Sequence, residues 1–347
     1  TLHLEQQASA APKLFVLAVG VDDYPHPSMR LQFAMSDAQA VARALAEAGQ
    51  GLYGDVVVRT VLDREATRKK LEAEVRRLSE EVAPQDTFVL FTAGHGKTID
   101  TGYYFLPGDF MPTGEKAVQE QGIDRDTWQR WLGAIKASKE IWLNDSCESG
   151  SLVQTDSSVR TRGDTFALQQ GTAYEKLSRA TGSVIIAASG DYQPAVEGFR
   201  GHGVFTYSVL DAFARADVNG DGVIEALELQ AHVMKLVPQI SREYFGFSQD
   251  PKASLANFTD FAVSKRAEPI VPAPDAAEAA NIPKTPTHVV IREAPLFEAP
   301  AGARMTTEPL KPGTSVRILE LQDGWALVAR DGKQLGYVAE PELAGLQ

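Results

Sequence analysis

Lys13–Val21, read KLFVLAVGV, is apolar at every position after the first. A strand without a polar face is buried on both sides, the condition of an inner strand in a parallel sheet. Shorter apolar runs follow at Val56–Leu62, Thr87–Thr92, Ile141–Leu143 and Ser183–Ser189. Helical stretches separate them. Ser36 is placed to cap a helix over 37–48 that Gly49 ends. Arg64–Val82 is charged and amphipathic, with Leu71, Val75 and Leu78 on one face. Tyr103–Leu106 reads as a hairpin arm between Gly102 and Pro107, and Asp124–Lys136 as a helix. Further helices are expected at about 173–180, Gly203–Ala216 and Glu225–Val237, with a last strand over 253–263. The alternation predicts an α/β fold, a mostly parallel sheet sandwiched between helices.

Two of the strands end alike. Phe88–Gly96 (FVLFTAGHG) closes on Gly94-His95-Gly96. Lys139–Gly150 (KEIWLNDSCESG) closes on small polar residues around Cys147. The C-terminal edge of an open α/β sheet is where ligands bind. Cys147 is the single cysteine, so it has no internal disulfide partner. As a nucleophile it needs a base to become a thiolate. His95 lies about fifty residues upstream, and its flanking glycines would let the backbone turn and leave the imidazole open. Taken singly, Cys147 reads equally as a small buried residue at a strand end, and His95 as a turn residue bonded to backbone.

KLFVLAVGVDDYP, the SDA at Ser36–Ala38, AGHG, DSCESG and AASGDYQPAVEGFRGHGVFTYSVL together resemble the caspase-like cysteine peptidases, the clan that includes metacaspases. The resemblance covers residues 13–263. Metacaspases usually carry His or Gln after the cysteine. Glu148 stands here, closer to the bacterial caspase modules appended to β-propeller proteins. The resemblance implies an endopeptidase with Cys147 as nucleophile and His95 as base, a dyad with no obligatory third member. The oxyanion would rest on backbone N–H groups of Cys147 and of Gly96 or a neighbour. It further implies that Asp37 and Asp145 line a primary pocket for Arg or Lys, since a desolvated carboxylate pair is satisfied by a guanidinium. Asp191 would add a third carboxylate or touch the substrate backbone. Asp37 also reads as an acid favoured by a helix N-terminus, and Asp145 as a turn former. A pocket for aspartate would need arginines; Arg30 and Arg200 exist but sit in no motif suited to it.

Asp217–Glu228 (DVNGDGVIEALE) fits the twelve-residue EF-hand loop. Asp217, Asn219 and Asp221 stand at the first three ligand positions and Gly222 at the turn. Val223 would offer its carbonyl, Glu225 would act through water, and Glu228 would close the shell. Ca²⁺ is the expected ion. The competing reading is an Asp/Gly-rich turn that never fills, and EF-hands normally pair whereas one loop is visible. No organic cofactor is expected.

Residues 1–12 read as a loose N-terminal arm. Ser151–Thr172 has no periodicity and reads as a mobile loop. Related peptidases are often cut in this region, and Arg160 and Arg162 are candidate self-cleavage positions, or simply solvated charges. Residues 264–287 have the Pro/Ala composition of a linker. His288–Leu343 alternates like short strands, with turns at Gly313, Asp323-Gly324 and Asp331-Gly332. It resembles a bacterial SH3-like domain, assigned to 288–347. Trp325 and Tyr337 would line a peptide or cell-wall groove, or pack as core.

The net charge of −12 argues against nucleic acid and an anionic membrane surface, and suits substrates with basic residues. No apolar run is long enough to span a membrane. The chain opens at Thr1 rather than Met, which reads as removal of something upstream, and no signal peptide is visible. The resemblance is bacterial; one cysteine fits a cytoplasmic or a periplasmic location. A catalytically idle scaffold working through its SH3-like domain, and a different Cys hydrolase on the same sheet, are the competing functions.

Overall fold

The computed structural model describes residues 11–99, 102–148, 178, 181, 183–188, 195–246, 248–255, 259–269, 271, 287–297, 300, 302, 305, 308–322, 324–330 and 333–345. The side chains of Glu115, Cys147, Glu148, Glu320, Gln322 and Lys333 fall outside this set.

The expected parallel sheet is present. Its strands β1 (Leu14–Gly20), β2 (Val56–Leu62), β3 (Thr87–Ile99) and β6 (Lys139–Glu148) run parallel, as does β7 (Val184–Ala187). Strand β9 (Lys252–Leu255) closes one edge antiparallel to β7, giving the order β2-β1-β3-β6-β7-β9. Two short strands, β4 (Gly102–Phe105) and β5 (Ile123–Asp124), extend the far end of β3. Leu14–Gly20 is buried throughout, as its unbroken apolar run requires.

Alternate residues of the strands feed two cores. Leu14, Val16, Val89, Phe91, Ile141 and Leu143 pack with helices α1 (Ala34–Ala48), α5 (Val204–Arg215) and α6 (Ala226–Ile240). Phe15, Leu17, Phe88, Leu90 and Trp142 pack on the other face with α2 (Arg68–Glu81) and α4 (Arg125–Leu132). A further helix, α3 (Glu115–Gln121), was not expected from the sequence.

Several boundaries differ from the sequence reading. Helix α1 begins at Ala34, so Ser36 lies in its first turn and its hydroxyl donates to the Phe33 carbonyl. The cap comes from Asp22, whose carboxylate accepts the Ala34 and Met35 N–H groups. Helix α2 starts after Thr67, whose hydroxyl accepts from the Lys70 N–H, a cap worth ~1 kcal/mol. Strand β6 does not stop at Leu143. It pairs with β3 without a break from Lys139 to Glu148, through the polar residues that had read as its end. The last stretch, 253–263, is two strands rather than one: β9, and β10 (Ala262–Lys265), which pairs with β8 (Val223–Glu225). Most of the helix expected at 173–180 lies outside the described residues.

The C-terminal stretch forms a separate antiparallel sheet. Its strands are β11 (His288–Val290), β12 (Ser315–Gln322), β13 (Trp325–Arg330), β14 (Lys333–Ala339) and β15 (Leu343–Gly345), in the order β14-β13-β12-β11-β15. Val290, Ala294, Leu296, Val316, Val328 and Val338 make its core. No described helix is long and apolar enough to cross a membrane.

Candidate active site

His95 and Cys147 are register partners on adjacent parallel strands. Neighbouring strands lie ~4.8 Å apart, so the two backbones meet at the same level of the sheet. The sequence reading put His95 on a turn. Instead β3 continues through Gly94-His95-Gly96 as strand, with Gly94 at φ 149°.

His95 is buried, and its Nε2 lies 2.8 Å from the Met29 carbonyl. A carbonyl only accepts, so Nε2 carries the proton and Nδ1 presents a lone pair. Nδ1 is buried and makes no hydrogen bond among the described residues. Burial drives the imidazole pKa down to about 4, against the opposing bond to Met29. The ring is therefore neutral at physiological pH, with its basic nitrogen unpartnered among the described residues. Met29 belongs to a short turn, Pro27–Met29, and is fully buried. Its carbonyl is a partner of His95 that the sequence did not reveal, because a backbone acceptor has no residue signature.

The polar residues of β6 are held on two sides. On the α2/α4 face, Trp142 Nε1 donates to Thr92 Oγ1 (2.8 Å), and Thr92 Oγ1 donates to Asn144 Oδ1 (2.8 Å). Asn144 Nδ2 donates to the Tyr103 hydroxyl (3.2 Å), which lies 2.6 Å from Ser146 Oγ. This buried chain lets the strand continue past Leu143 without orphaned polar groups. On the opposite face lies Asp145.

Asp37 of α1 and Asp145 of β6 converge on the N-terminus of α5. Asp37 Oδ2 accepts the Gly203 N–H (2.9 Å), and Asp145 Oδ2 accepts the Thr206 hydroxyl (2.6 Å) and N–H (3.3 Å). A methyl group on Gly203 would sit 2.8 Å from Asp145 Oδ2 and 3.2 Å from Asp37 Oδ2, so only glycine leaves room for both. His202 Nδ1 is 2.6 Å from Asp37 Oδ1. The turn that delivers His202 places Gly198, Arg200 and Gly201 at φ 88°, 54° and 84°. For Arg200 that conformation costs ~1–2 kcal/mol. Burial, then the Asp37 charge, pushes Asp145 up to about 7. Burial likewise raises Asp37, which its bonds from His202 and Gly203 oppose. The sequence reading missed Glu197, raised to about 8 by burial and by Asp145, Asp22 and Asp37. Both aspartates thus cap a helix and also crowd negative charge at one point.

The other predicted residues divide by location. Asp191, Arg160 and Arg162 lie outside the described residues. Gly96 is in register with both Phe105 of β4 and Glu148 of β6, so its backbone lies inside the sheet. The loop 217–228 joins α5 to α6, with Gly222 at φ 83° making the turn. Its donors are hard oxygens, the type a Ca²⁺ shell uses. Here they bond the loop's own backbone: Asp217 accepts from Gly220 and Gly222, Asn219 from Asp221, Asp221 from Val223, and Glu228 from Val218 and Glu225. Arg266 also reaches Asp217 (3.1 Å). Among the described residues, no group of three or more His, Cys, Asp or Glu side chains is arranged to hold a metal ion. In the C-terminal sheet the Trp325 ring packs edge-on against Phe297, centroids 4.8 Å apart.

Among solved structures, a Geobacter sulfurreducens protein is similar at 20% identity over 72% of this chain and 95% of its own, with a TM-score of 0.47. A comparison with curated proteins finds no match. The sequence pattern of the caspase domain, peptidase family C14, matches residues 13–262. That span runs from the first strand to β10 and contains both strand ends, so the chain belongs to the caspase-domain family of cysteine peptidases.

Proposed function

We propose that the protein is an endopeptidase using His95 and Cys147 as a dyad and cleaving after Arg or Lys. The observation that carries this reading is the pairing of His95 with Cys147 in register, with the imidazole proton fixed on Nε2 by Met29. Nδ1 then accepts the thiol proton as sulfur attacks the peptide carbonyl carbon. The same proton passes to the leaving amine, and water hydrolyses the resulting thioester. Developing negative charge on the carbonyl oxygen would be met by the Cys147 N–H and by that of Gly96 or a neighbour. Asp145 and Asp37, with Asp191, would receive the basic side chain.

Two finer points go with this reading. Cleavage at Arg160 or Arg162 would open the chain after the nucleophile strand. Ca²⁺ would be held by Asp217, Asn219, Asp221, the Val223 carbonyl, Glu225 and Glu228, neutralising their mutual repulsion and fixing α5 against α6. The C-terminal sheet is proposed as an SH3-like module for a peptide or cell-wall ligand.

The test uses peptidyl-aminomethylcoumarin substrates ending in Arg, Lys or Asp. Cys147→Ala and His95→Ala are expected to lose activity by at least ~1,000-fold without loss of fold. Retained turnover in purified Cys147→Ala protein overturns the dyad. Preference for Asp overturns the pocket. Labelling by a peptidyl-Arg electrophile separates a working peptidase from an idle scaffold.

A further inference from the structure

The two glycines around His95 have a cause in the structure other than a turn. A Cβ on Gly94 would lie 2.9 Å from the Tyr24 hydroxyl. A Cβ on Gly96 would lie 2.7 Å from Tyr103 Cε2 and 3.1 Å from its hydroxyl. A tyrosine side chain occupies the space beside each glycine, one on either side of the imidazole in the chain.

Each hydroxyl is engaged with one member of the proposed dyad's strand ends. The Tyr24 hydroxyl accepts the His95 backbone N–H (2.9 Å) and donates to the Leu106 carbonyl (3.0 Å), while the Leu106 N–H donates to the His95 carbonyl (2.9 Å). The Tyr24 ring also lies 5.0 Å from the imidazole, centroid to centroid. His95 is thus held at its backbone N–H, its carbonyl, its ring face and, through Met29, its Nε2. Tyr24 is fully buried, and burial holds its phenol protonated far above the usual range. The Tyr103 hydroxyl, also buried, bonds Ser146 and Asn144 on the nucleophile strand, Ser146 being the residue before Cys147.

We propose that Tyr24 and Tyr103 are positioning residues, two hydroxyl clamps that fix the base strand and the nucleophile strand at the separation the proton transfer needs. The inference rests on the His95/Cys147 reading and goes beyond it, since neither phenol touches substrate. Small misplacement of reacting groups is enough to lower a rate by orders of magnitude. Phenylalanine keeps each ring and removes each clamp.

The experiment takes the full chain with Tyr24→Phe, Tyr103→Phe and His95→Ala alongside wild type. Three quantities are read: kcat and KM on a peptidyl-Arg-aminomethylcoumarin, the rate of Cys147 alkylation by iodoacetamide, and the thermal melt. Each Phe variant is expected to lose about tenfold or more in kcat, with KM held within about twofold, and to alkylate more slowly by a similar factor. Wild-type kcat and alkylation in both folded variants overturn the proposal, and so does a change confined to KM. Activity retained by His95→Ala would instead overturn the dyad itself, so the two failures are distinguishable. Where a Phe variant does not fold, amide exchange in the wild type decides. His95 N–H is expected to be as protected as the inner amides of β3, and exchange at the rate of an exposed amide overturns the Tyr24 clamp.

Discussion

On the proposed reading, substrate choice would turn on Asp145. Its carboxyl titrates at about 7 because it is buried and shares its surroundings with Asp37. A basic side chain binds the ionised form, so acidification through pH 7 protonates the pocket and opposes binding. KM for an Arg substrate is expected to rise by about tenfold per pH unit below that point, with kcat changing less. Asp145→Asn is expected to raise KM by about 30-fold or more, the loss of ~2 kcal/mol in a buried charge pair, and to flatten the pH dependence of KM around pH 7. Steady-state kinetics from pH 5.5 to 8.5 check both. At this scale the sequence was informative where chemistry lay in a side chain. His95 and Cys147 stood out by motif and spacing, Asp37 and Asp145 only through the family resemblance; the structure sets His95 in register with Cys147 and brings the carboxylates of Asp37 and Asp145 to one glycine. Met29 could not be read, because its contribution is a main-chain carbonyl. Glu197 had no motif to single it out.

Elements explain why the strand ends were harder to read than the strands. Hydropathy falls at Asn144, which suggests that β6 stops there. It continues because Asn144 and Ser146 join a buried hydrogen-bond chain on one face, while Asp145 caps α5 on the other. Polar residues extend a strand when each has a partner waiting. The start of α1 was misread for a related reason: Asp22, distant in sequence, does the capping assigned to Ser36. The loop between α5 and α6 is the clearest local match. An EF-hand loop normally pairs with a second loop; here β8 pairs with β10 instead. Calorimetry is expected to show one Ca²⁺ per chain, and Glu228→Gln, which removes a bidentate carboxylate, to weaken binding by at least ~10-fold. Wild-type protein that releases no heat at millimolar Ca²⁺ would reject the site.

At the scale of the molecule, buried acids set the response to pH. Glu140 sits at the start of β6, bonded to Ser183 through one oxygen (2.7 Å), while the other is buried without a hydrogen bond among the described residues. Burial raises its carboxyl from 4.5 to about 8. The folded state therefore keeps a proton that the unfolded chain releases, and stability falls as pH climbs from 4.5 to about 8. Asp145 acts in the same direction up to about 7. His95 acts the opposite way, weakening the fold as pH drops from 6.5 towards 4. Between pH 4.5 and 6.5 the two raised acids outweigh the one lowered histidine, so thermal stability is expected to fall as pH rises from 4.5 to about 8. Glu140→Gln should remove a few kcal/mol of the alkaline decline, measurable as a flatter curve of Tm against pH. A further consequence follows from how α5 is seated. Its first turn is capped by Asp37 and Asp145, the former 166 residues before Gly203. Two carboxylates crowded together repel until those groups arrive, so the pocket proposed for the basic side chain would not be complete on a shorter chain. During synthesis, N-terminal segments emerge first. His95 and Cys147 are then already made while the helix that completes the pocket is not. On the proposed reading, a ribosome-bound chain would lack a completed pocket, and so the capacity to cut after a basic residue, until the segment through Thr206 has emerged.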